Sequence, residues 1–204
     1  MNDACLIIIF AKAPVPGQVK TRLAPALGLD GAANLAIRML QHTVNNAVQV
    51  ALGPVELCCA PDRRHAQFQL AVAAHAVQLS EQGDGDLGER MARATQRGLQ
   101  RFPRVVLIGT DAPRIDADVL RAAAMALHEH DAVFAPAADG GYVLVGLSRS
   151  APQLFSGVDW STPQVMQQTR ERIAALGLAT CELPTLHDVD EPADLMHVPP
   201  EWLS

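Results

Sequence analysis

Three basic side chains, Lys12, Lys20 and Arg22, lie in one proline-bearing stretch, FAKAPVPGQVKTRLAP, at the end of the first apolar run of the chain. Aspartates take similar places further on: Asp111 in GTDAP, Asp139 in ADGG, and Asp188 and Asp190 in HDVDEP. Each group sits just beyond a segment that reads as a strand. Carboxylate oxygens suit a hard cation such as Mg2+ (or Mn2+), which is commonly held by one or two carboxylates together with the phosphates of a ligand. The remaining phosphate charge calls for Lys and Arg, and a guanidinium can grip two oxygens at once. Gly17, inside the basic stretch, lets the backbone approach such a ligand closely. Jointly these residues point to metal-assisted chemistry on a phosphorylated ligand. Singly, each has a plainer reading. An aspartate before a proline often serves a turn, Asp188 is expected to cap the last helix, and a loop lysine can simply be solvated.

Two familiar phosphate motifs do not apply. In GQVKT no glycine directly precedes Lys20, as a P-loop requires, and Pro14 and Pro16 supply no N–H donors. The glycines of QGDGDLG are wrongly spaced for the dinucleotide fingerprint and follow a weak strand pattern.

The elements that must position these residues alternate between strand and helix patterns. Leu6 to Ala11 reads as a strand covered on both faces, and a helix is expected over 30–50. PVELCCA and HAVQLS follow as strands with a helix over 63–74 between them, and a further helix spans about 87–101. RVVLIG repeats the opening pattern, with Asp116 capping the helix after it. DAVFAPA and YVLVGL are strands, Ser161 or Thr162 is expected to cap a helix that Gly177 ends, and ATCELP is the last strand. This alternation predicts an α/β, three-layer Rossmann-like fold with a mostly parallel mixed sheet, in a single domain over 1–204. In such sheets ligands bind beyond the carboxyl ends of the strands, where the polar residues are found.

Composition excludes several alternatives. With 49% hydrophobic residues among 204, the chain can bury a substantial core. A formal net charge of −6 and only 4% aromatic residues argue against nucleic acid as a partner. Cys5, Cys58, Cys59 and Cys181 form no C-x-x-C pair and read as buried thiols. The opening MNDACLIIIF has neither a leader's basic start nor the roughly 20 apolar residues needed to span a bilayer, so a cytoplasmic location is expected.

The ordered pieces FAKAPVPGQVKTRL, QGDGDLGERM, LIGTDAP, DGGYVLVGL, VDWST and DVDEPADL resemble the nucleotide-diphospho-sugar transferase superfamily, which has the GT-A fold. The likeness covers nearly the whole chain. It is greatest to a bacterial glycosyltransferase-like branch similar to the phospholactate and molybdenum-cofactor guanylyltransferases. The resemblance implies that Lys12, Gly17, Lys20 and Arg22 wrap the nucleotide phosphates, and that Gln82, Leu87 and Gly88 meet base and ribose. It implies Asp111 and Asp190 as metal ligands, with Asp139, Gly140, Gly141 and Tyr142 on the acceptor or sugar side. One departure is Pro14 and Pro16 in place of the superfamily's glycine-rich opening, which leaves more work to Lys12, Lys20 and Arg22 as the catalytic cations beside Asp111.

The resulting expectation is nucleotidyl transfer from an NTP to a small phosphorylated acceptor, dependent on Mg2+ or Mn2+. The alternatives are glycosyl transfer from an NDP-sugar and a non-catalytic nucleotide-binding protein. The expected partners are a nucleotide and a small-molecule acceptor, with no membrane and no oligomeric state indicated.

Overall fold

A seven-stranded sheet of order β3-β2-β1-β4-β6-β5-β7 organises the chain. The structure is a computed structural model that describes residues 4–203; the start of the chain, on which the expectation of no leader partly rests, lies outside them. The strands are β1 (Cys5–Lys12), β2 (Val55–Ala60), β3 (Val77–Glu81), β4 (Arg104–Ile108), β5 (Ala132–Pro136), β6 (Tyr142–Leu147) and β7 (Thr180–Glu182). The helices are α1 (Ala24–Gln49), α2 (Ala66–Val72), α3 (Leu87–Leu99), α4 (Ala117–Ala126) and α5 (Val165–Leu176). β1 pairs in parallel with both β2 and β4, and β6 runs antiparallel between β4 and β5. The expected mostly parallel mixed sheet is present.

The side-chain alternation of β1 divides the core. Ile7, Ile9 and Ala11 pack with Leu40 and Val44 of α1, Phe68 of α2 and Leu120 of α4. Leu6, Ile8 and Phe10 pack with Met91 of α3 and Met166 of α5 on the other face. Both faces of β1 are therefore covered, which is why its sequence is apolar without alternation. Because β2 lies on one side of β1 and β4 on the other, the chain reverses its direction of winding between β1 and β4. That switch opens a crevice at the strands' carboxyl ends.

Local chemistry explains several element ends. Asp86 and Glu89 form a reciprocal capping box at α3, and Asp116 accepts from the backbone N–H groups of Asp118 and Val119 at α4. α1 begins at Ala24, earlier than the expected Asp30, but Gly28 at φ 72 and ψ 170 breaks it, and the sequence pattern captured only the part beyond the break. For α5 the expected Ser161 or Thr162 cap is corrected: the cap position is Gln164, with no side-chain cap bond, and Ser161 lies in the left-handed region. Gly177, left-handed at φ 60, ends that helix as expected. Cys5, Cys58 and Cys59 are buried free thiols, and Cys181 is half-buried. Among the described residues no helix is long and apolar enough to cross a membrane.

Candidate functional site

The crevice at the carboxyl ends of β1 and β4 holds a cavity of about 580 Å3, within the range usual for small-molecule sites. Lys12, Lys20, Arg22, Gln82, Leu87, Asp111, Asp139, Gly141, Tyr142 and Asp190 all line it, as does Asp188. Gly17, Gly88 and Gly140 do not.

The basic loop is fixed at both ends. Lys12 Nζ donates to the Gln18 carbonyl at 2.7 Å and straps the turn that contains Gly17, whose φ is 76. Lys20 is left-handed at φ 48 and starts the 3-10 turn Thr21–Leu23, which sinks Leu23 fully into a cluster with Leu35, Met39 and Val189. Burying Leu23 draws Lys20 inward. Its side chain is only 4% exposed, and its ammonium lies 2.8 Å from Asp111 Oδ1 and 4.0 Å from Asp190 Oδ1. The same ammonium donates to the Val189 carbonyl, while the Val189 N–H donates to the Asp111 carbonyl at 2.8 Å. Arg22 Nη1 donates to the other oxygen of Asp190, Oδ2, at 2.8 Å. Cations and carboxylates expected to serve different parts of a ligand are thus paired with each other.

The donor set fits a hard divalent cation. Asp111 and Asp190 already present carboxylate oxygens to one shared positive charge, the Lys20 ammonium, and oxygen ligands are what Mg2+ and Mn2+ favour. Among the described residues no group of three or more His, Cys, Asp or Glu comes together to hold a metal. A metal on these two carboxylates therefore needs ligand phosphates or water to complete its shell.

Asp188 corrects an expectation. The helical segment that follows it, the 3-10 stretch Pro192–His197, is capped by Glu191 and Asp194, and Asp194 also accepts from the Asp190 N–H. Asp188 instead faces the cavity, brought beside Asp139 by the parallel bridge between Ala137 and Leu186. Burial pushes its carboxyl above the usual range, and the charges of Asp139 and Asp111 push it further, against the opposing pull of its own backbone and Lys20. Its place in HDVDEP was the available signal, but sequence alone does not tell that both aspartates line the cavity.

On the other side, the Gln82 side-chain amide donates to the carbonyls of Ala11 and Cys58 at 3.2 and 3.1 Å and pins the loop after β3 to β1 and β2. Arg93 holds the same loop through the Gln82 and Asp84 carbonyls. Leu87, 41% exposed, offers an apolar surface at the cavity edge. Gly88 has a packing role: a Cβ there would collide with the Phe155 carbonyl and the Trp160 indole. Gly140, at φ 94, is similarly closed in by Pro163. The Tyr142 ring stands edge-on to Phe134 and Trp160, with centroids 5.3 and 6.3 Å away. Its buried hydroxyl and the Trp160 Nε1 have no hydrogen-bond partner among the described residues. Trp160 was not among the expected site residues, and a buried polar atom without a partner leaves no trace in a sequence pattern.

Residues 43–162 match a family of uncharacterised proteins conserved in bacteria, DUF2064. The chain belongs to this family. No curated protein matches it closely enough to count as a relative. The DUF2064 chain is similar to a Desulfovibrio desulfuricans G20 protein, named provisionally as a nucleotide-diphospho-sugar transferase, at 31% identity over 96% of this chain and 87% of that one, with a TM-score of 0.86. It shares its fold with CMP:2-keto-3-deoxy-manno-octonic acid synthetase, solved with CTP, at 16% identity, 96% coverage of both chains and a TM-score of 0.62. Rv0371c of Mycobacterium tuberculosis H37Rv, solved with manganese, is similar at 16% identity over 96% of this chain and 97% of that one, with a TM-score of 0.57. The DUF2064 chain is accordingly a transferase of the nucleotide-diphospho-sugar transferase superfamily.

Proposed function

We propose that this chain is a metal-dependent nucleotidyltransferase that joins an NTP to a small phosphorylated acceptor. The observation that carries the reading is the meeting of Lys20 and Arg22 with Asp111 and Asp190 at the mouth of one cavity. The placement of this cluster at the reversal between β1 and β4 supports it, because that is where open α/β sheets take ligands.

In this reading an acceptor oxygen forms a bond to the α-phosphorus while the bond to the β-phosphate oxygen breaks, and pyrophosphate leaves with that electron pair. Positioning and charge stabilisation supply most of what such a step needs. Lys20 and Arg22 turn from the carboxylates to the phosphates and hold the charge that develops on the leaving group. Lys12 closes the loop through the Gln18 carbonyl and keeps the two cations at the cavity wall. Asp111 and Asp190 would hold Mg2+ or Mn2+, which supplies Lewis-acid neutralisation of phosphate charge. Leu87 and the Gln82 loop receive the base and ribose, and Asp139, Asp188 and Tyr142 face the acceptor. The CTP bound to the synthetase of the same fold and the manganese bound to Rv0371c agree with this assignment of ligand classes.

A second reading, glycosyl transfer from an NDP-sugar, has its own supporting observation. Lys12 is engaged with a carbonyl, so fewer loop cations are available to phosphates than the sequence count implies. The provisional name of the Desulfovibrio protein points the same way. Product analysis separates the two. Pyrophosphate released from an NTP only when a phosphorylated acceptor is added supports the first reading, whereas NDP released from a nucleotide sugar overturns it in favour of the second.

A further inference from the structure

The ammonium of Lys20 lies between Asp111 and Asp190, the two carboxylates assigned above to a divalent cation. It is 2.8 Å from an oxygen of Asp111 and 4.0 Å from an oxygen of Asp190, inside a side-chain environment only 4% exposed. Arg22 takes the remaining Asp190 oxygen at 2.8 Å. Each carboxylate of the pair thus already faces a positive charge. We propose that Lys20 is a resident stand-in for the metal, so that divalent cation and nucleotide phosphates bind as a coupled pair, with the lysine passing from the carboxylates to the phosphates. The proposal rests on the nucleotide reading above and adds an order of events to it.

The physical reason is charge pairing around a buried ammonium, that of Lys20, whose partners Asp111 and Asp190 are themselves 57% and 43% exposed. A dication arriving alone would have to push the ammonium off Asp111 and leave it buried beside a second positive charge, with only the Val189 carbonyl for company. Nucleotide phosphates arriving alone would meet carboxylates whose charge repels them and whose paired cations are already engaged. When both arrive, the metal takes the carboxylates and the phosphates take Lys20 and Arg22, so no charge is left unpaired. Each ligand therefore strengthens the other's binding, and by thermodynamic linkage the factor is the same in both directions. The flexible stem of lysine, a compact charge on four methylenes, allows such a transfer without moving the backbone turn that Leu23 anchors.

The opposing account makes Lys20 a fixed pin that joins the basic loop, the β4 loop and the Val189 segment, and that never leaves Asp111. Mn2+ titrations that follow the free ion by electron paramagnetic resonance, without nucleotide or turnover, separate the two. Wild type is expected to bind Mn2+ weakly, and Lys20→Met roughly tenfold or more tightly, in the range typical of coupling between sites. Lys20→Gln, which keeps amide donors for Asp111 and Val189 but removes the charge, is expected to behave like Lys20→Met. Arg22→Met, which leaves Lys20 in place, should change Mn2+ affinity much less. Folded Lys20 variants that bind Mn2+ no better than wild type overturn the proposal. Thermal melting of wild type and Lys20→Met gives a second test, using Mn2+ alone, each of the four common NTPs alone in EDTA, and each NTP with Mn2+. A wild-type shift for the pair beyond the sum of the separate shifts, by a margin that shrinks in Lys20→Met, supports exchange, because the Mn2+–NTP chelate formed in solution gives some excess on either account. Additive shifts overturn it while leaving nucleotide binding intact. No shift with any NTP, with or without metal, overturns the nucleotide reading and the proposal built on it.

Discussion

Asp111→Asn separates the structural role of this carboxylate from its role toward a metal. The substitution keeps the size of the side chain and one acceptor oxygen but removes the charge that faces Lys20 at 2.8 Å. Breaking a buried ion pair costs about 3–5 kcal/mol, whereas an exposed one is worth about 0–1 kcal/mol. This pair lies between those limits, because the Lys20 side chain is 4% exposed and that of Asp111 is 57% exposed. Asp190 also stays at 4.0 Å as a second, weaker partner. A loss of about 1–2 kcal/mol follows. For a chain of this size each kcal/mol moves the melting temperature by roughly 2–4 °C, so a drop of roughly 2–8 °C is expected in ligand-free buffer with EDTA. With Mg2+ and NTP present, the variant should also lack the ligand-induced stabilisation of wild type. An unchanged melting temperature without ligand would refute the claim that the Asp111–Lys20 pair ties these segments together. Full metal-dependent stabilisation by NTP in the variant would refute Asp111 as a metal ligand.

Arg22→Ala, at an exposed side chain, should leave folding nearly unchanged and weaken nucleotide binding more as the phosphate count rises; equal losses for NMP and NTP in calorimetric titrations would place Arg22 near the ribose or base. Gly88→Ala should destabilise by about 1–3 kcal/mol, because the added methyl has to displace the Phe155 backbone or Trp160; a melting temperature equal to wild type would count against that packing. Asp188 has its carboxyl raised by burial and by its acidic neighbours, so the native state binds its proton more tightly than the unfolded chain. The associated stability is complete below the ordinary aspartate range and is lost as pH rises through the raised folded value. Asp188→Asn should therefore melt higher than wild type at neutral pH, with the difference closing in acid, and a pH-independent difference would show that ionisation of Asp188 is not its source.

The elements whose burial is uniform were the legible ones. β1 from Cys5 to Ala11 and β4 from Val105 to Ile108 are apolar because both faces are covered, and that pattern is visible without a structure. The helix cap Asp116 and the terminator Gly177 were readable because each acts on backbone groups a few residues away, whereas the Asp86 cap was not read. Contacts between distant segments were not. Lys20 meets Asp111 across 91 residues and the Val189 carbonyl across 169, and no local pattern announces either. The inward turn of Asp188 depends on the Ala137–Leu186 bridge, which joins a segment beyond β7 to one beyond β5. The sequence placed Lys12, Lys20, Arg22, Asp111 and Asp190 at one crevice, where the structure also has them, but could not say that its cations and carboxylates would neutralise each other there.

Calorimetric titration of wild type with each common NTP, its diphosphate and its monophosphate, in Mg2+ and then in EDTA, tests the central claim most directly. At least one NTP should bind in Mg2+, with affinity falling roughly tenfold or more when the metal is chelated and falling again as phosphates are removed. Nucleotide affinity that is the same in Mg2+ and EDTA and the same for mono- and triphosphates, or no binding of any nucleotide, would contradict it.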